Sequence, residues 1–186
     1  MSGRSVGPLI RRRDGTAAVE LALIAPMLLL LLSSLIDFSR VYRQEIALST
    51  AVSAAAQYAL LNAASVNSTN AAALAATLGG IVTDSNGTSW ASVAVTVNGG
   101  ATRTVSSGGT VIGGTAANSD KCWCPAGSSA AWTWGTAATC GITCAGGTVA
   151  GKFVTIAGTR NFDAIFGQYG FITNRTLRQS TIVQTQ

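Results

Sequence analysis

Four cysteines, Cys122, Cys124, Cys140 and Cys144, are the residues best placed for covalent chemistry, and all fall in one short stretch of a 186-residue chain. Three chemistries compete for them. A catalytic thiolate needs a base beside it, and the chain has no histidine, the commonest general base and metal ligand. Structural zinc prefers Cys-x2–4-Cys knuckles, and Cys122-Trp123-Cys124 is a poor fit. Disulfides suit an even, clustered set if this part of the chain lies outside the cytoplasm. Two bridges are therefore expected and no metal. Of the three pairings, the nested set Cys122–Cys144 with Cys124–Cys140 fits an antiparallel hairpin best. Opposed residues would have nearly equal residue-number sums, and a bulge could absorb the difference. Trp123, Trp132 and Trp134 in the same stretch read first as core, with an exposed tip as the alternative.

Little else is equipped for catalysis. Asp84, Asp120 and Asp163 are scattered singly and read as turn residues. Asn67-Ser-Thr, Asn86-Gly-Thr and Asn174-Arg-Thr match the glycosylation pattern, as chance allows in a Thr/Asn-rich chain. No catalytic residue and no cofactor is expected. The formal charge of +5 is uneven: Arg4, Arg11, Arg12 and Arg13 against Asp14 put +3 in the first fifteen residues. The other 171 residues hold eight basic and six acidic groups, so the body has no basic face for nucleic acid.

The basic start leads into Leu21–Ile36, LALIAPMLLLLLSSLI, sixteen residues without a charge, followed by Asp37. Counted back to Thr16, the segment would span roughly 30 Å as a helix, the thickness of a bilayer's hydrocarbon core. Arg11-Arg12-Arg13 on its N-terminal side keeps that end cytoplasmic and exports the rest. A secretory signal peptide is the competing reading, but its apolar core is shorter and ends at a small-x-small site. Pro26 inside the run removes a backbone hydrogen bond and favours a kink. Glu20 is the one charge within it. A carboxylate costs ~2.5–3.5 kcal/mol at the bilayer centre, and less near the interface, where a helix N-terminus also favours an anion. If the chain were cut after Gly15, the new α-amino group of Thr16 would lie one helical turn from Glu20 and could pair with it, in the same chain or a neighbouring one.

The run RRRDGTAAVELALIAPMLLLLL resembles a type IV pilin-like leader. More narrowly, it is similar to the TadE-like family, minor pseudopilins of the tight-adherence (Tad) pilus system. Gly15, Glu20 and Pro26 match that family's leader glycine, Val-Glu pair and helix proline. The resemblance is strong over about the first 45 residues and weak at the C-terminal end. It implies cleavage between Gly15 and Thr16 by a prepilin-type peptidase and a role for Glu20 in subunit assembly. It also implies partners among other pilin-like subunits and inner-membrane pilus assembly proteins, besides membrane lipid.

The elements that would position these residues follow. Asp37–Asn62 contains neither Gly nor Pro, so one helix should run from about Thr16 to Ala64. Phe38, Val41, Tyr42, Ile46, Leu48, Val52, Ala55, Ala59 and Leu60 keep a broad apolar stripe on it, for a core or for subunit bundling. Asn70–Leu78 reads as a short helix, capped by Asn70 and ended by Gly79-Gly80. Trp90–Val97 alternates as a strand, Asn98-Gly99-Gly100 turns it, and Ala101–Val105 returns. Lys152–Thr159 and Thr176–Thr185 form a second pair. The expected class is α+β and pilin-like: a long N-terminal membrane-spanning helix continuing into an exported domain with a small antiparallel sheet and a disulfide-rich loop. The expected layout is a cleaved basic leader at 1–15, a transmembrane helix at 16–37, a helical extension at 38–80 and an exported β-rich domain at 81–186. The inner, cytoplasmic membrane would hold it by a single pass, with the C-terminal domain periplasmic or extracellular. Function then reads as a non-catalytic minor pseudopilin in Tad pilus assembly and surface adherence. The alternative is a membrane-tethered exported binding module that no prepilin peptidase processes.

Overall fold

The computed structural model describes residues 14–127, 131–167 and 175–186; the basic run Arg11–Arg13 and the rest of the expected leader before Asp14 lie outside them. The chain divides into two compact units, one of residues 1–40 with 164–173, the other of 41–163 with 174–186. A single helix, α1 (Asp14–Leu61), runs through both, with Pro26 inside it. Its 48 residues make it roughly 70 Å long. It stops three residues short of the expected Ala64, because the chain tightens into a 3-10 turn at Ala63–Ser65, a frequent way for a helix to end.

In the larger unit the second half of α1 is amphipathic. Val41, Leu48, Ala51, Val52, Ala55 and Ala59 are buried, whereas Tyr42, Ile46 and Leu60 are exposed. The broad stripe read from sequence is thus two faces, and only one is covered. A second helix, α2 (Ala71–Thr83), buries Leu74, Ala75, Leu78 and Val82. It does not stop at Gly79-Gly80, so the helical region extends past residue 80. Gly79 is buried beside Arg103 and Val105 of β2, where an added β-carbon would make ordinary contact, 3.6 Å from Arg103 Cδ. Nor does Asn70 cap it by its side chain. Asn67 does the local work, its Oδ1 accepting the N–H groups of Thr69 and Asn70 at 3.0 and 2.9 Å.

The sheet has five antiparallel strands: β1 (Ser92–Val97), β2 (Ala101–Ser106), β3 (Gly109–Gly114), β6 (Phe153–Phe162) and β7 (Arg175–Gln184), in the order β3-β2-β1-β6-β7. Both expected hairpins form, and the edge strand β3 is one that its glycines and short length concealed. Alternation puts one face inward. Val93, Val95 and Val97 on β1 oppose Gly158, Ile156 and Val154 on β6, and all are buried. Gly158 marks where α1 crosses. A β-carbon there would stand 3.0 Å from both Leu48 Cδ1 and Val52 Cγ2 and 3.4 Å from Val82 Cγ1. Beside it, Arg160 stacks 4.5 Å over Trp90 and donates to Gln44 Oε1 at 3.0 Å and to the Trp90 carbonyl, fastening α1 to the sheet. Burial lowers the Arg160 pKa, with the charge of Asp163 opposing the shift.

One polar residue organises the turn end of the sheet. Asn98 is fully buried with φ +53°, in the left-handed region where asparagine is tolerated. Its Nδ2 donates to the carbonyls of Ser119 and Lys121 at 2.9 and 2.6 Å, and its Oδ1 accepts the Phe153 N–H at 3.1 Å. The Trp123 indole donates to its carbonyl at 2.9 Å. The β1–β2 turn, the 3-10 segment Ala116–Asp120 and the start of β6 are therefore tied to one side chain. Asn98→Ala should lower stability by about 3 kcal/mol, from buried groups left unpaired and a strained φ. Asn98→Gly should recover only the strain. Urea unfolding of the solubilised chain checks both, and equal stability of Asn98→Ala and wild type would contradict this role. Gly158→Val should cost about 1–3 kcal/mol by overpacking in the same assay.

Candidate functional site

The four cysteines are all bridged, but in the crossed pairing: Cys122–Cys140 and Cys124–Cys144, with Cα atoms 5.0 and 5.6 Å apart. The nested expectation is corrected by the register. Strands β4 (Cys122–Ala126) and β5 (Thr133–Ala138) pair Cys122 with Ala138 and Cys124 with Thr136. Cys140 and Cys144 therefore lie beyond the hairpin, in a loop that doubles back. Gly141 N–H donates to the Ala150 carbonyl, Ala150 N–H to Ile142, and Cys144 N–H to Thr148. A cysteine on a returning loop is not bound by the hairpin's residue-number rule. A bulge between Cys124 and Ala126 is permitted by Gly135, φ +67°, whose β-carbon would lie 1.8 Å from the Cys124 carbonyl oxygen.

Cys122, Cys144 and Ala150 form a small buried cluster with Cys124 and Ala138 against it. The tryptophans are half-buried and stacked edge to face: Trp123 to Trp134 at 6.1 Å, Trp134 to Trp132 at 4.7 Å, Trp132 to Phe153 at 5.9 Å. They join the disulfide module to the start of β6, and paired bonds between Trp123 and Gly151 add to the seam. Among the described residues no group of three or more His, Cys, Asp or Glu gathers as a metal site. Non-reducing digestion and mass spectrometry should yield linked peptides for Cys122–Cys140 and Cys124–Cys144, and recovery of the nested pairs would contradict the register. Each bridge closes 18 to 20 residues, so losing either should cost about 3 kcal/mol.

The first half of α1 is a different surface. Thr16 and Glu20 sit on it one turn apart and exposed, and the bond between Gly15 and Thr16 lies in its first turn. Leu21, Leu23, Ile24, Met27 and Leu28–Leu32 are all 45% exposed or more, on every side of the helix. A helix apolar all round and uncovered by its own chain belongs in a bilayer or against other helices. Its hydroxyls are satisfied within the helix, Ser33 and Ser34 both donating to the Leu30 carbonyl at 2.8 Å.

Residues 15–57 match the model of the family described as TadE-like protein. The chain carries the TadE-like segment. The match begins at the expected cleavage glycine and ends within the buried part of α1, and it points to a role related to the Tad pilus. It covers less than a quarter of the chain, leaving α2, the sheet and the disulfide module outside. No curated protein and no solved structure matches the chain.

One residue that sequence reasoning passed over stands at the end of the apolar run. Asp37, read only as the charge that closes it, is buried, 1% exposed. Its Oδ1 and Oδ2 accept the backbone N–H groups of Ile165 and Phe166 at 3.0 and 2.9 Å, and Arg40 Nη1 approaches Oδ1 at 3.5 Å. Glu20 and Asp37, carboxylates at either end of the apolar run, thus have unlike surroundings. The only signal in the sequence was position, a lone acid where a membrane helix meets water.

Proposed function

We propose that this protein is a non-catalytic minor pseudopilin of a Tad-type pilus, in which α1 serves as membrane anchor and as subunit-packing surface. The observation that carries the reading is the TadE-like match starting at Gly15, on a helix whose apolar surface its own chain leaves bare. A prepilin-type peptidase cuts between Gly15 and Thr16. The freed α-amino group pairs with Glu20, within the subunit or across to a neighbour, and offsets the cost of holding either charge in the membrane. Beyond the bilayer the exposed face with Tyr42, Ile46 and Leu60 continues the packing surface. The inner membrane holds the protein, with its body on the outer side.

N-terminal sequencing of protein from the membrane fraction should begin at Thr16. A start at Met1 or Ser2 would instead favour an unprocessed, membrane-tethered module. Glu20→Ala should leave membrane insertion intact and reduce pilus number by tenfold or more, counted by electron microscopy, since the α-amino charge then has no partner at its depth. Normal piliation in that variant would remove Glu20 from the mechanism.

A further inference from the structure

The clamp at Asp37 has a geometric result for the β6–β7 connection. Two backbone N–H groups bind one carboxylate, which fixes residues 165 and 166 against the helix within the smaller unit. Phe166 then shares an open apolar crevice of about 430 Å³ with Leu29, Leu30, Leu32, Ser33 and Ile36. These helix residues precede Asp37, and Leu29 lies seven residues before Ile36. At 1.5 Å per residue that is about 10 Å deeper along the axis. A side chain facing this stretch faces lipid if the helix is in a bilayer. Ile165 beside it is 61% exposed. In sequence, no charge occurs between Asp163 and Arg175.

We propose that Ile165 and Phe166, just after β6, form a second membrane contact and enter the leaflet where α1 leaves the bilayer. The crevice between Phe166 and α1 takes a phospholipid acyl chain. Asp37 is the positioning residue. Its carboxylate would be costly at that boundary without partners, and the loop's two N–H groups would be costly there without an acceptor, so each offsets the other. The occupant is lipid because the crevice wall is continuous with the membrane-spanning surface itself. The inference rests on α1 being the anchor.

The four native cysteines are bridged, so a cysteine introduced at Ile165 can be labelled selectively with a nitroxide. The labelled full chain, in phosphatidylcholine–phosphatidylglycerol vesicles, is compared for collision with oxygen and with a water-soluble nickel chelate. Ile165→Cys should favour oxygen severalfold, as Leu29→Cys does, whereas Thr110→Cys on β3 favours the nickel chelate. Adding Asp37→Ala should swing the 165 label to the nickel-accessible values and leave the 29 label unchanged. A nickel-accessible 165 label with a lipid-exposed 29 label overturns the proposal while the anchor stands. A nickel-accessible 29 label would overturn the anchor reading itself, and the proposal with it. Dipolar broadening at 165 that grows with protein density would put a second copy in the crevice and overturn the lipid assignment. An unchanged 165 label in Asp37→Ala would overturn the clamp.

Discussion

Continuity of α1 constrains everything else. One unbroken helix must satisfy two surroundings, because its first half is covered by its own chain only near Ser33 and Asp37 and its second half presents one buried face to a sheet. A helix apolar all round cannot also be a good half-buried helix, so the composition has to change along its length. It does so near Asp37, where leucines give way to alternating alanines, polar residues and single large side chains. Ala51, Ala55 and Ala59 are buried along the helix, and Gly158 on β6 accepts the approach of Leu48 and Val52.

The body has few charges and many glycines, so its order comes from specific constraints more than from bulk. Asn98 fixes the turn end of the sheet with three short side-chain bonds, and the disulfides close a module whose own buried cluster is small. The stacked tryptophans connect the two. Asp120 illustrates how the periphery is held. Hydrogen bonds from Ser68, side chain and backbone, keep its carboxyl below the ordinary carboxylate range. A depressed carboxyl favours the fold above its unfolded value, and that contribution disappears as acid protonates it. Such a body is suited to an oxidising compartment, where its bridges persist.

The functional segment and the body also differ in how they can be recognised. The TadE-like match ends inside α1, before the sheet begins. The sheet and the disulfide module lie outside the matched segment. Asp37 falls within the matched residues, yet its partners, Ile165 and Phe166, lie outside them.

The sequence by itself determined the apolar helix with its one charge at Glu20, the two hairpins around Asn98-Gly99 and near the C-terminus, and the α+β class. These are local properties: hydropathy over twenty residues, period-2 alternation and turn chemistry act between near neighbours. Tertiary structure alone decided the crossed disulfides, because strand register and a returning loop bring Cys140 to Cys122 and Cys144 to Cys124. It also carried α2 through Gly79-Gly80 to Thr83, where burial of Val82 offsets the low helix propensity of glycine, and divided the stripe on α1 into a covered and a bare face. Asp37 is the clearest case. Its neighbours in sequence mark it as the end of a membrane run, and only residues 128 and 129 positions later show that its carboxylate is a ligand for backbone N–H groups.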